Sequence, residues 1–243
     1  MGALRAEHYP LRALAAWLVI LLAGLHCPSP DAAPSGDARE RRVAPTATER
    51  PAEDPRPAIV FVGTSLTAGY GLPESEAYPA LIQDRLEAAG LAYRVVNAGV
   101  SGDTSAGGLR RLDWLLRLPI AVLVVELGAN DMLRGQSVEA LEGNLAAILE
   151  RTRAAHPEAR FVLAGMRAAP NLGRAYADAF DAVYPRLAAR FDAAFIPFLL
   201  EDVAARPDLN QADGIHPTAE GHARIAERVW KTLEPVARAA ARD

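Results

Sequence analysis

The chain contains one cysteine in 243 residues, so no intrachain disulfide can form. Aromatic residues make up only 6% and the formal net charge is −4. There is neither a basic surface nor a supply of stacking side chains, which argues against nucleic acid as a partner. No uncharged apolar run reaches the roughly 20 residues that a membrane-spanning helix needs. The P-loop lysine and the G-x-G-x-x-G spacing are both missing, which removes the two commonest nucleotide-binding readings. The stretch "GTSLTAG" at 63–69 is not the G-x-S-x-G elbow of α/β-hydrolases either.

What is present suits a globular enzyme-sized domain with an appended N-terminus. Hydrophobic residues are 51% and charged residues 23%, an ordinary soluble composition. Arg5 and Arg12 precede the uncharged run 13–25, the pattern of a secretory signal over residues 1–27. The expected location is therefore periplasmic or secreted. If retained, residues 11–25 would act as an anchor instead. Cys27 ends the run and raises lipidation as a further alternative, although the preceding His26 is not the small residue that lipoprotein processing prefers. Residues 28–57 are rich in Pro, Ala and charge and have too little apolar surface to offset ordering entropy, so a disordered linker is expected. The folded domain is expected over 58–236, followed by a tail at 237–243.

Within that domain, apolar runs alternate with helical periodicity. Strands are expected at 58–63, 93–99, 120–128, 160–165 and 193–199. Helices are expected at 75–90, 104–118, 137–156, 176–191 and 218–236. Such alternation specifies an α/β fold, with a parallel sheet of about five strands covered by helices on both faces. Ligands in such folds sit beyond the carboxyl ends of the strands.

Polar residues punctuate those strand ends. "GTSL" follows the first strand with Ser65, "NAGVSGDT" follows the second with Gly102, and "ELGAND" follows the third with Asn130. Near the C-terminus "DGIHP" sets Asp213 three residues before His216. Each has a plain structural reading. Ser65 suits a helix cap, Gly102 a turn, Asn130 a loop or cap, and "DGIHP" a turn before a helix. Together at one rim they suit acyl transfer. A serine hydroxyl needs a base to take its proton, which His216 can supply with Asp213 fixing the imidazole tautomer. The Ser65 and Gly102 N–H groups and the Asn130 amide would face the developing oxyanion. A metal site from Asp213, His216 and His222 is the competing reading of the same residues.

Ser65, Gly102, Asn130 and His216 fall in order in the four blocks of the SGNH (GDSL) hydrolases, which this sequence resembles over residues 58–236. "SLTAGYGL", "NAGVSGDTSAGGL", "LGANDMLRG" and "DGIHP" look like the branch that includes acyl-CoA thioesterase I/lysophospholipase and arylesterases. The resemblance implies a flavodoxin-like three-layer α/β/α sandwich without metal or cofactor. It also implies Ser65, Asp213 and His216 as catalytic triad, and Ser65, Gly102 and Asn130 as oxyanion hole. The implied partner is a small-molecule ester or thioester, with membrane proximity only through the N-terminal segment or a lipid substrate, and no obligate protein partner. Two alternatives stay open, a carbohydrate O-acetylesterase and an inactive ligand-binding domain on the same fold. The pattern departs at Thr64, where the family usually has Asp before the serine.

Overall fold

The computed structural model describes residues 54–242. The expected signal over 1–27 and most of the expected linker lie outside the described residues. Among those described, no helix is long and apolar enough to cross a membrane.

The chain runs β1 (Ala58–Gly63), α1 (Ser65–Ala68), α2 (Tyr78–Ala88), β2 (Arg94–Gly99), α3 (Ser105–Arg110), α4 (Leu112–Leu115) and β3 (Ile120–Glu126). It continues through α5 (Ala129–Leu133), α6 (Val138–Ala155), β4 (Arg160–Ala164), α7 (Arg174–Phe191), β5 (Ala194–Ile196) and α8 (Ala219–Ala240). The five strands form one parallel sheet in the order β2-β1-β3-β4-β5. Helices α2 and α8 pack together on one face, and α3, α6 and α7 pack side by side on the other. This is the three-layer α/β/α arrangement expected. β1 and β3 are apolar, apart from Glu126 at the end of β3, because both faces are covered.

Several boundaries differ from the sequence reading, each for a local reason. The helix expected at 104–118 breaks at Arg111, whose side chain turns back to Asp103 Oδ2 (2.7 Å) and the Gly63 carbonyl (3.1 Å). The helix expected from residue 75 starts at Tyr78, with Pro79 in its first turn where a missing N–H costs nothing. β5 stops at Ile196 because Pro197 can donate nothing to the ladder. The last helix passes residue 236 and reaches Ala240 despite Pro235 inside it. An interior proline costs about 3 kcal/mol, and α8 offsets it by burying Val229, Leu233 and Ala237 completely.

Register brings the site together. Gly63 of β1 pairs level with Gly99 of β2 and with Glu126 of β3. The chain order reverses across β1 and β3, so their carboxyl ends open onto the crevice where such sheets bind ligands. Gly99 lets β2 pass close under α1: a Cβ there would lie 2.2 Å from the Ala68 nitrogen.

Two of the buried titratable groups in this frame, His222 and Glu126, are shifted in ways that act on stability at ordinary pH. His222 of α8 accepts the Tyr78 N–H at Nδ1 (3.1 Å), which requires a neutral ring, and burial holds its pKa down to about 4. Glu126 is 1% exposed, and burial pushes its pKa up to about 7 against the hydrogen bonds it accepts. The two act oppositely on stability. The contribution linked to His222 is present above 6.5, its ordinary value, and is lost as pH falls toward about 4. The contribution linked to Glu126 is full below 4.5 and is lost as pH rises through about 7. Between those limits the slopes offset one another. Glu126→Gln should leave the His222 slope unopposed, so its melting temperature should fall more steeply than that of the wild type as pH drops from 6.5 to 4.5. Parallel melting curves for the two proteins across that range would contradict the assignment.

Candidate active site

Ser65 opens α1 directly after β1. Thr64 is the cap: it is in extended backbone and its Oγ1 accepts the Leu66 N–H at 3.3 Å. The helix lasts one turn and is closed by Gly69 in the left-handed region. The cap reading of Ser65 is therefore not met: the cap is Thr64, and the Ser65 hydroxyl is left to face His216.

His216 Nε2 lies 3.0 Å from Ser65 Oγ, and His216 Nδ1 lies 2.6 Å from Asp213 Oδ2. The second carboxylate oxygen of Asp213 accepts the N–H groups of Ile215 (2.9 Å) and His216 (3.0 Å). The His216 contact, followed by these backbone donors, holds the Asp213 carboxyl well below the usual range. An ionised Asp213 only accepts, which assigns the proton on neutral His216 to Nδ1. Nε2 is then free to accept the Ser65 hydroxyl. The three side chains make one directional relay from hydroxyl to imidazole to carboxylate.

Other residues, not singled out from the sequence, hold that relay. The Tyr70 ring lies against the His216 ring with centroids 4.5 Å apart. Gln211 donates its backbone N–H to the His216 carbonyl (2.7 Å), and its side-chain amide donates to the Tyr70 (2.7 Å) and Pro217 (3.0 Å) carbonyls. One glutamine thus ties the loop of His216 to the loop that follows Ser65. Nothing in composition or spacing marks it, because the Tyr70 carbonyl that it reaches lies 141 residues away in sequence.

The expected oxyanion donors converge on the same place. Gly102 has φ +79°, a conformation that favours glycine, and lines the groove beside Ser65. Asn130 Nδ2 donates to the Asp103 carbonyl at 2.9 Å, which fixes the amide and leaves its second hydrogen available. Its short helix α5 is pinned in turn. Asp131 accepts the Ser105 N–H at 2.8 Å and hydroxyl at 2.5 Å, tying α5 to α3. His222 does not join the group, since Tyr78 occupies its Nδ1. The metal reading of Asp213, His216 and His222 therefore has no shared focus. Among the described residues no cluster of three or more His, Cys, Asp or Glu side chains is placed to hold a metal.

Ser65, Gly102, Asn130 and His216 all line one groove of about 670 Å³. Its remaining surface is largely apolar, with Leu66, Met132, Met166, Phe198, Leu200 and Ile215 among the lining residues. The segments that follow β3 and β4 both contribute, the first through Ala129, Asn130, Met132 and Leu133 and the second through Met166, Arg167 and Ala169. A polar cluster at one point of an apolar cleft is the usual form of a small-molecule site.

A profile of the GDSL-like lipase/acylhydrolase family matches residues 61–224. Esterase TesA of Pseudomonas aeruginosa is 45% identical over 179 residues, spanning 73% of this chain and 88% of that protein. Thioesterase 1/protease 1/lysophospholipase L1 of Escherichia coli K12 is 43% identical over 180 residues, spanning 73% of this chain and 84% of that protein. The crystal structure of the psychrotrophic esterase EstA from Pseudoalteromonas sp., inhibited by monoethylphosphonate, matches with a TM-score of 0.69 at 33% identity, covering 73% of this chain and 97% of that one. The matched span takes in both the Ser65 turn and the His216 loop, and the chain belongs to the GDSL-like lipase/acylhydrolase (SGNH) family as a serine ester hydrolase.

Proposed function

We propose that this protein hydrolyses carboxyl esters and acyl thioesters through an acyl-enzyme on Ser65. The observation that carries the reading is the continuous contact from Ser65 Oγ to His216 Nε2 (3.0 Å) and from His216 Nδ1 to Asp213 (2.6 Å) in an apolar groove. Ser65 Oγ attacks the substrate carbonyl while His216 takes its proton. Asp213 holds the imidazolium that results. The carbonyl oxygen, now negative, accepts from Ser65 N–H, Gly102 N–H and the free hydrogen of Asn130 Nδ2. His216 returns the proton to the departing alkoxide or thiolate, and the acyl group remains on Ser65. Water repeats the sequence from the other side and releases the acid.

The groove supports an apolar acyl group, in keeping with relatives named as esterase and lysophospholipase. A carbohydrate O-acetylesterase would need only a small acyl pocket and polar sugar contacts. Faster turnover of p-nitrophenyl octanoate than of acetylxylan is the expected outcome, and the reverse order would favour the carbohydrate reading. Export is part of the same proposal: residues 1–27 are a signal or anchor and 28–57 a spacer.

Ser65→Ala should keep the fold and lose most ester hydrolysis, and intact-mass spectrometry of the wild type with a phosphonate should show one adduct, on Ser65. An adduct elsewhere, or full activity in the variant, would sink the mechanism. Asn130→Ala should lower kcat by about 10²–10³ with the loss of one oxyanion donor. A change in KM alone would assign Asn130 to ground-state binding. A chain beginning at Asp54 should fold and turn over, and cell fractionation should find the full-length protein outside the cytosol. An inactive aggregate in the first case, or a purely cytosolic protein in the second, would refute that division of the chain.

A further inference from the structure

Residues 64–67 carry four backbone N–H groups around the reactive hydroxyl. Thr64 N–H donates to Glu126 Oε2 at 2.9 Å and Thr67 N–H to the same oxygen at 3.2 Å. Leu66 N–H donates to Thr64 Oγ1 at 3.3 Å. Ser65 N–H, among the described residues, has no acceptor in the protein, and Ser65 lines the groove. The hydroxyls follow the same plan. Thr64 Oγ1 donates to Glu126 at 3.0 and 3.1 Å to its two oxygens, and Thr67 Oγ1 donates to Oε2 at 2.7 Å. With the Thr67 hydrogen so used, the Tyr78 hydroxyl 2.7 Å away is the donor to Thr67 Oγ1. One carboxylate, 1% exposed, therefore takes up the Thr64 and Thr67 N–H groups, Thr64 Oγ1 takes up that of Leu66, and the Ser65 N–H is left for the groove.

We propose that Glu126 is a positioning residue for the hydrolysis: it accepts from Thr64 and Thr67 on either side of Ser65 and so aims both the Ser65 hydroxyl and the Ser65 N–H. This rests on the reading of Ser65 as nucleophile. Glu126 lies beneath the turn and does not touch substrate. A residue at position 64 that donates and accepts at once fits this role. Thr64 Oγ1 takes the Leu66 N–H and passes its own hydrogen to the carboxylate. An ionised aspartate there has no hydrogen to give and would set a second buried negative charge against the first, which forces one of the pair to hold a proton. Thr64 is thus matched to an ionised Glu126, and the departure from the family pattern at position 64 is part of the device.

The other titratable groups around Glu126 are few. Tyr78 of α2 reaches it through Thr67, and Tyr184 of α7 donates to the Leu127 carbonyl next in sequence. Both tyrosines are pushed up, by burial first and the Glu126 charge second. His222 of α8 contacts Tyr78 and is neutral, and Arg111 reaches the Gly63 carbonyl while paired with Asp103. Protonation of Glu126 would turn one of its oxygens into a donor, and a threonine hydroxyl would have to reverse. The positioning contact is complete only in the ionised form.

The experiment measures the rate of Ser65 phosphonylation and the pH profile of kcat/KM for a short p-nitrophenyl ester. It compares wild type, Glu126→Gln, Thr64→Asp, Thr64→Val and the double variant Thr64→Asp/Glu126→Gln, each checked by its melting temperature. Glu126→Gln should lower both kcat and the phosphonylation rate about tenfold or more, leave KM within about threefold, and remove one titration from the acid limb. Thr64→Asp should also be slower than wild type. The double variant, which returns a single carboxylate to the same contact, should recover most of the rate lost in Glu126→Gln. Should Glu126→Gln fail to fold, Thr64→Val carries the test, with kcat expected to fall about three- to tenfold at unchanged KM. Phosphonylation of Glu126→Gln at the wild-type rate with an unchanged pH profile would overturn the proposal, whatever happens to its melting temperature. So would absence of rescue in the double variant. A wild type that the phosphonate does not label at Ser65 would remove the nucleophile reading itself.

Discussion

Everything at the site depends on the level ending of three parallel strands. Gly63, Gly99 and Glu126 are register partners across β2, β1 and β3, so the next few residues of each strand emerge at one edge. Ser65, Gly102 and Asn130 come from those three exits. A parallel sheet allows this because its strands all point the same way, and every carboxyl end lies on one side. The close approach at Gly99 keeps the β2 exit from being pushed aside by α1. A slip of one residue would reverse the inward and outward side chains of a strand and separate the donors from the hydroxyl.

The charges around Ser65 are arranged in two different dielectric settings. Asp213 is partly open to water, with its side chain 41% exposed, and needs only His216 and two backbone donors to stay ionised. Glu126 is sealed below the turn and relies wholly on protein donors. Burial works against its charge, and its hydrogen bonds work for it. The half-open pair can gain and lose a positive charge on the imidazole during a reaction cycle, since solvent responds to it. The sealed carboxylate meets only protein donors, which suits a group that holds a backbone turn in one shape. Neither carboxylate lines the groove, which Ser65 and His216 reach and whose remaining surface is largely apolar.

The fold class was open to reading because hydrophobic period and strand length are local properties. Short β-branched apolar runs such as "AIVFVG" and "IAVLVV" fit strands buried on both faces, and their alternation with amphipathic stretches points to one layer architecture. Reading was less sure at element ends. The break at Arg111 comes from contacts with Asp103 and with Gly63, the latter from another strand, and the persistence of α8 past Pro235 comes from the core it covers. Propensity over a short window carries no record of either.

The sequence by itself determined which residues could do chemistry: a serine, a glycine and an asparagine at strand exits, and an acid–histidine pair just before the last helix. Those assignments needed only residue type, spacing and order along the chain. The tertiary structure alone decided that His216 reaches Ser65 across 151 residues of separation, that Gln211 ties their two loops, and that His222 turns away to Tyr78. It also decided what Glu126 does. In sequence it is one acid at the end of an apolar strand, and only when β3 lies beside β1 does its carboxylate come under the Thr64–Thr67 turn. Hydrogen bonds between distant segments depend on where the sheet brings the chain back, and no local pattern encodes that return.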